Sequence, residues 1–255
     1  MQAPLDRATT MARRLLLSLA CLVHVAMAQQ PLFPDLHVGG ELTDAPAGVN
    51  YVVAMASDDS HVYAATLRHV VKMKANDLTE RTVVDLTGDG VSEITALAVD
   101  GGDLVLTVKK GDAYEVQRRA TGSLDTIECS SAIDSSEFTP FAIAVDDAHI
   151  YTGHRTFPGK VARWKRQDCA PDGKLTLAEN EDDVRSFAYD AQHDARHLYA
   201  GTNSQPGRVV KIALGTFERV GSVLYHRQSV AVASRRPRER RPVVVLGTSP
   251  LGVLG

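Results

Sequence analysis

A unit of about 45 residues recurs along the chain, apolar and polar side chains alternate inside it, and Asp, Gly and Pro mark its turns. Together these predict an all-β fold: a β-propeller of four-stranded blades, about five blades, as a closed ring or a partial propeller. Four copies share one skeleton. They begin at 52–58 (VVAMASD), 95–100 (TALAVD), 141–146 (FAIAVD) and 186–190 (SFAYD). Each is followed by a second run: 61–66 (HVYAAT), 103–108 (DLVLTV), 149–154 (HIYTGH) and 197–202 (HLYAGT). The closing aspartates Asp58, Asp100, Asp146 and Asp190 lie 42, 46 and 44 residues apart. That period is too long for a β-helix coil, and helical periodicity is missing.

Each unit continues in step. A third run with strand alternation follows at 69–74, 113–117, 160–165 and 208–212, and a fourth at segments such as 81–86 and 217–223. The first run is small and apolar at nearly every position, which predicts an inner strand crowded round an axis. Later runs gain charge, as expected toward a rim. The units are placed at about 51–94, 95–140, 141–185 and 186–228, with a degenerate fifth at 229–255. The fifth retains 229–233 (SVAVA) and 243–250 (VVVLGTSP). An N-terminal extension, 29–50, holds a candidate closing strand at 36–42 that would pair with 243–248 and hide two sheet edges. The competing reading is an open fragment of a longer array.

The first 28 residues have the three parts of a secretory signal peptide. Arg13 and Arg14 precede an apolar run of about a dozen residues, and Ala26-Met27-Ala28 forms an A-x-A cleavage signal. The alternative is an uncleaved anchor. No run approaches the ~18–20 apolar residues of a spanning helix. The expected location is therefore secreted or extracellular. With 23% charged residues and a net charge of -3, a nucleic-acid-coating role is excluded. Removal of the leader takes Cys21 with it and leaves Cys129 and Cys169. An even count in an oxidising compartment permits one disulfide, and two separate thiols are the other reading. Asn76, Asn180 and Asn203 all lack Ser or Thr two positions on, so no N-glycosylation is expected.

The segment 198–220 (LYAGTNSQPGRVVKIALGTFERV) resembles the YVTN-type β-propeller repeat. Tyr199, Gly207, Val209 to Ile212, Thr216 and Val220 hold the places of that family's strand, turn and strand. Ala213 stands where the family carries Asp. His149 to Lys165 and His61 to Val84 match more weakly, and the resemblance spans about residues 50–225. It implies the propeller fold. Such repeats also resemble those of surface-layer proteins, other secreted proteins and enzymes such as lactonases, so it implies no single function.

Candidate chemistry is sparse. His61, His149 and His197 share one repeat position and read as turn caps rather than a ring of metal ligands. Asp58, Asp100, Asp146 and Asp190 read as Asx-turn residues, with a cation-binding ring at one mouth as the alternative. Residues 85–90 with Glu93 resemble a calcium loop but lack its D-x-D-x-D spacing, and calcium at the acidic run 179–183 is a further alternative. The 179–183 run is expected to be a solvated loop. Trp164 reads as packing between blades. Residues 235–241 carry five arginines in seven positions, read as an exposed loop beside two alternatives, a polyanion site and an R-x-R-R processing site. There is no G-x-S-x-G, H-E-x-x-H or P-loop. No catalytic, cofactor-binding or metal residues are assigned, and no cofactor is expected, with calcium as the one open candidate. The expected function is a non-catalytic secreted or cell-surface scaffold binding an extracellular protein or glycan. The alternative is a lactonase-like or sugar-dehydrogenase-like enzyme with a metal in the central funnel.

Overall fold

The structure, a computed structural model, describes residues 52–78, 80–134, 139–190 and 196–225. The expected signal peptide, the extension with its candidate closing strand, the expected fifth unit and the Arg-rich segment lie outside the described residues. All described residues belong to one compact unit, 46–255.

Among the described residues, sixteen strands form four sheets, each antiparallel and each ordered as in the chain. The first blade holds β1 (Ala54–Ser57), β2 (His61–Ala65), β3 (His69–Lys74) and β4 (Thr82–Asp85). The second holds β5 (Val91–Asp100), β6 (Asp103–Lys110), β7 (Ala113–Ala120) and β8 (Ile127–Ile133). The third holds β9 (Pro140–Val145), β10 (His149–His154), β11 (Lys160–Lys165) and β12 (Pro171–Thr176). The fourth holds β13 (Val184–Asp190), β14 (His197–Thr202), β15 (Gly207–Ala213) and β16 (Glu218–Tyr225). β5 begins at Val91, four residues before the alternation suggests. Register shifts between Val91 and Glu93 and between Ile94 and Ala96 absorb the extra residues as bulges.

The first strands touch in series, β1 with β5, β5 with β9, and β9 with β13. They are the inner strands of blades set side by side. Alternation along the second strands sends successive side chains to opposite neighbours. Leu104 packs toward the first blade and Val105 toward the third. Ile150 packs toward the second blade and Tyr151 toward the fourth. The core is thus three apolar seams between blades rather than one central mass. Each fully buried Leu, Ile or Val in a seam contributes roughly 1.5–3 kcal/mol. A one-residue register slip would turn each of these side chains to the wrong seam.

Gly153 shows how closely the blades approach. A Cβ there would lie 2.5 Å from Val184 Cγ1 and 3.0 Å from Ala142 Cβ, so only glycine fits between β10 and β13. The most enclosed strands are the second, not the first: β6 and β10 are buried along most of their length, while β1 and β9 are largely half-buried. The inner strands are small and apolar, yet they face an open space. Cys129 on β8 is bonded to Cys169, in the turn before β12, with Cα atoms 5.7 Å apart. The bridge ties the outer strand of the second blade to the third. In the chain-entropy account, closing a 40-residue separation contributes about 4 kcal/mol.

Candidate functional site

The hairpins after the inner strands of the first three blades carry the site. In the first blade Asp58 ends the strand and folds back on its own turn. Its Oδ1 accepts hydrogen bonds from Ser60 N and His61 N, both at 2.7 Å, and from Ser60 Oγ at 2.9 Å. Its Oδ2 accepts one from the Tyr63 hydroxyl at 2.9 Å. The third blade repeats this arrangement. Asp146 Oδ1 accepts from Ala148 N at 2.8 Å and His149 N at 2.7 Å, and Oδ2 accepts from Tyr151 Oη at 2.9 Å. Burial alone would raise the Asp58 pKa. The amides of Ser60 and His61 and the two hydroxyls outweigh it and hold the carboxyl at about 2. Tyr63 is pushed up to about 12, first by burial and then by Asp58; Tyr151 moves in the same direction through burial and Asp146.

The second blade departs from this plan. Its hairpin reads Asp100-Gly101-Gly102-Asp103, with Leu104 and Val105 where the others carry Val62 and Tyr63 or Ile150 and Tyr151. A guanidinium from the next blade replaces the tyrosine. Arg166 donates from Nη1 to Asp100 Oδ2 at 2.8 Å, and from Nε and Nη2 to Asp103 Oδ2 at 2.9 and 2.8 Å. It also reaches the carbonyls of Asp100 and Asp146, at 2.8 and 3.0 Å. Burial would lower the Arg166 pKa, but Asp103 and Asp100 raise it further.

The histidines contribute backbone and ring contacts to these turns. His61 Nδ1 lies 2.9 Å from Ser60 Oγ. His149 lies 3.6 Å from Asp146 and 3.3 Å from Asp172. His197 opens β14, opposite Asp190 in the register. Among the described residues, no three His, Cys, Asp or Glu side chains come together as a metal site requires. Asp85 Oδ1 accepts from Thr87 N at 2.9 Å and starts a single 3-10 turn, which holds its carboxyl below the usual range. Asp89 takes the fully buried Arg119 at 2.6 Å. The two carboxylates serve different partners.

The acidic run 179–183 is only partly a solvated loop: Glu179 and Asn180 are exposed, but the run turns inward after them. Glu181 and Asp183 are 1% and 3% exposed. Arg219 donates to both Glu181 oxygens, at 2.7 and 2.6 Å, and Arg185 reaches Asp183 at 2.7 Å. Burial would raise the Glu181 pKa, and the guanidinium of Arg219 draws it down. The charges stay inside because they are paired, and composition alone does not reveal a partner 38 residues away. Trp164 is buried in the seam between the second and third blades, and its indole N–H donates to Thr152 Oγ1 at 3.1 Å.

The ends of all four inner strands surround one cavity of about 590 Å³. Asp58 and Asp59 come from the first blade and Asp100 from the second. The walls are Val99, Ile143 to Val145, Phe187 and Tyr189. Burial raises the Tyr189 pKa, and the fields of Asp146, Asp147 and Asp100 raise it further, against Arg196. The phenol thus sits in a region of negative potential. A second hollow of about 500 Å³ lies outside the hairpins, among Arg118, His149, Lys165, Arg166 and Asp172. Arg118 pairs there with Asp103 and Arg166 with Asp100 and Asp103, and His149 lies 3.3 Å from Asp172.

No protein-family model and no curated protein matches this chain. Among solved structures it is similar to apo AztD from Citrobacter koseri, with a TM-score of 0.50 at 9% identity. The match covers 70% of this chain and 48% of that one, so the chain spans about half the length of that protein. The fold is a multi-blade β-propeller. At this identity the likeness carries the fold alone. In all, 783 solved chains resemble this propeller, so the likeness selects no function. The resemblance to YVTN repeats rests on the repeat's own residues.

The aspartates, the histidines and the cysteine pair were visible in the sequence. The tyrosines of Asp58-x-x-His61-x-Tyr63 and Asp146-x-x-His149-x-Tyr151 were missed as partners of the aspartates, although their spacing repeats. Arg166, Phe187 and Tyr189 carried no such signal, because blade-to-blade geometry decides their roles.

Proposed function

We propose that this chain is a secreted or cell-surface propeller that binds an extracellular protein or glycan at the funnel, without catalysis. The observation that carries the reading is convergence: all four blades send the end of the inner strand to one cavity of about 590 Å³. That volume is typical of pockets that hold a small ligand or an inserted side chain. Two of the lining carboxylates are held in place, Asp58 by the amides of its own turn and Asp100 by Arg166 of the next blade, which suits a rigid receptor surface. The Cys129–Cys169 bond supports an oxidising compartment, and no helix among the described residues is long and apolar enough to cross a membrane.

The test is hydrogen exchange of the full chain with and without ligands from panels of extracellular proteins and oligosaccharides. Protection at 57–59, 99–100, 143–145 and 187–189 is the expected footprint. A footprint confined to the outer strands β4, β8, β12 and β16 would overturn the reading.

A further inference from the structure

We propose that the funnel takes an organic cation: an ammonium or guanidinium on an apolar stem, as in a lysine or arginine side chain of a protein partner. This rests on the binding reading above and names the chemistry of the same site.

Three observations carry it. First, the lining is sorted by chemistry. Val99, Ile143, Val145 and Phe187 form an apolar wall on three blades, while Asp58, Asp59 and Asp100 stand at the ends of the first two. An alkyl stem against that wall would leave its charged end near the carboxylates. Second, none of the lining residues is Lys, Arg or His. The nearby guanidinium groups lie outside the lining, Arg166 on Asp100 and Asp103 and Arg196 3.5 Å from Asp147. Third, two aromatic rings, Phe187 and Tyr189, line the same space, and a ring face attracts a cation by about 0.5–1 kcal/mol at an exposed site. Beyond the effect of burial, Asp146, Asp147 and Asp100 raise the Tyr189 pKa, which agrees with a field that favours positive charge.

The same lining argues against other ligand classes. Carboxylates at the mouth repel uronic or sulfated glycans. The Asp58 oxygens already accept four hydrogen bonds, and the carboxylates do not converge on a point. A cation held by field, stem and ring needs no direct chelation.

The probe is n-butylguanidinium, titrated into the full chain by NMR beside the neutral isostere n-butylurea. The expected result is a preference of roughly fivefold for the cation, the equivalent of about 1 kcal/mol. Asp59→Asn should reduce that preference while leaving Asp58, the cap of the turn, in place. Tyr189→Leu should weaken the cation more than the urea. Unfolding curves of both variants confirm that they fold. Equal binding of the two probes, or a preference unchanged in both variants, would overturn the inference. If neither probe binds but a glycan or uncharged peptide still protects the funnel, the cation inference fails and the binding reading stands. If nothing in either panel protects the funnel, both fail.

Discussion

The hairpins of the first and third blades solve the same problem as that of the second, in opposite ways. Asp58 and Asp146 are satisfied within their own blades, by two amides and a tyrosine five residues on. Asp100 and Asp103 are satisfied by Arg166, more than sixty residues away on the next blade. A self-contained cap stabilises one blade. A borrowed cap stabilises the joint between two. The same joint carries the disulfide, so the second and third blades are fastened covalently and ionically as well as by their apolar seam.

This contrast sets the order of expected effects. Replacing both cysteines, Cys129→Ala with Cys169→Ala, should cost the most, about 4 kcal/mol in urea unfolding. Arg166→Ala should follow at about 3 kcal/mol, because it removes the guanidinium that pairs with Asp100 and leaves Asp103 with Arg118 alone. It should also couple with Asp103→Ala in a double-mutant cycle, whereas Tyr63→Phe with Asp103→Ala should be additive. Tyr151→Phe should cost about 2 kcal/mol, since Tyr151 and Asp146 are both buried. Tyr63→Phe should cost nearer 1 kcal/mol, because Asp58 is more exposed. Equal losses for the two tyrosines would mean that burial does not distinguish these caps.

The Asp58 cap also sets a pH dependence. Asp58 has a folded-state pKa of about 2, below its ordinary value near 3.8. Its contribution is therefore fully present above about pH 4 and is lost as the pH falls toward 2. Asp58→Asn should destabilise the chain at pH 7 and much less at pH 2. A loss independent of pH would show that the charge is not what the turn binds.

The fold was legible because its signals are local. Alternation within a run, an aspartate at the strand end and a fixed period all survive in one dimension, so the four-stranded antiparallel unit can be read before any contact is known. The half-exposure of the inner strands was not legible, because β9 has the same small apolar residues whether it faces a neighbour or a cavity. The pairing of Glu181 with Arg219 was also hidden: charge in a sequence reads as solvated until a partner is brought to it. The candidate site combines both kinds of information. Its aspartates follow the repeat, whereas Phe187 and Tyr189 matter only because four blades share one axis.

The claim beneath all of this is that four blades fan round a common funnel instead of stacking in a row. Distances between spin labels test it directly, with one label at Ser57→Cys and the other at Val99→Cys, Ala144→Cys or Phe187→Cys, in a Cys21→Ser background. A row of sheets would add about 10 Å per blade and place residue 187 roughly 30 Å from residue 57. A shared funnel predicts that this last pair stays below about 20 Å, within two sheet spacings. A steady climb to 30 Å would contradict the account.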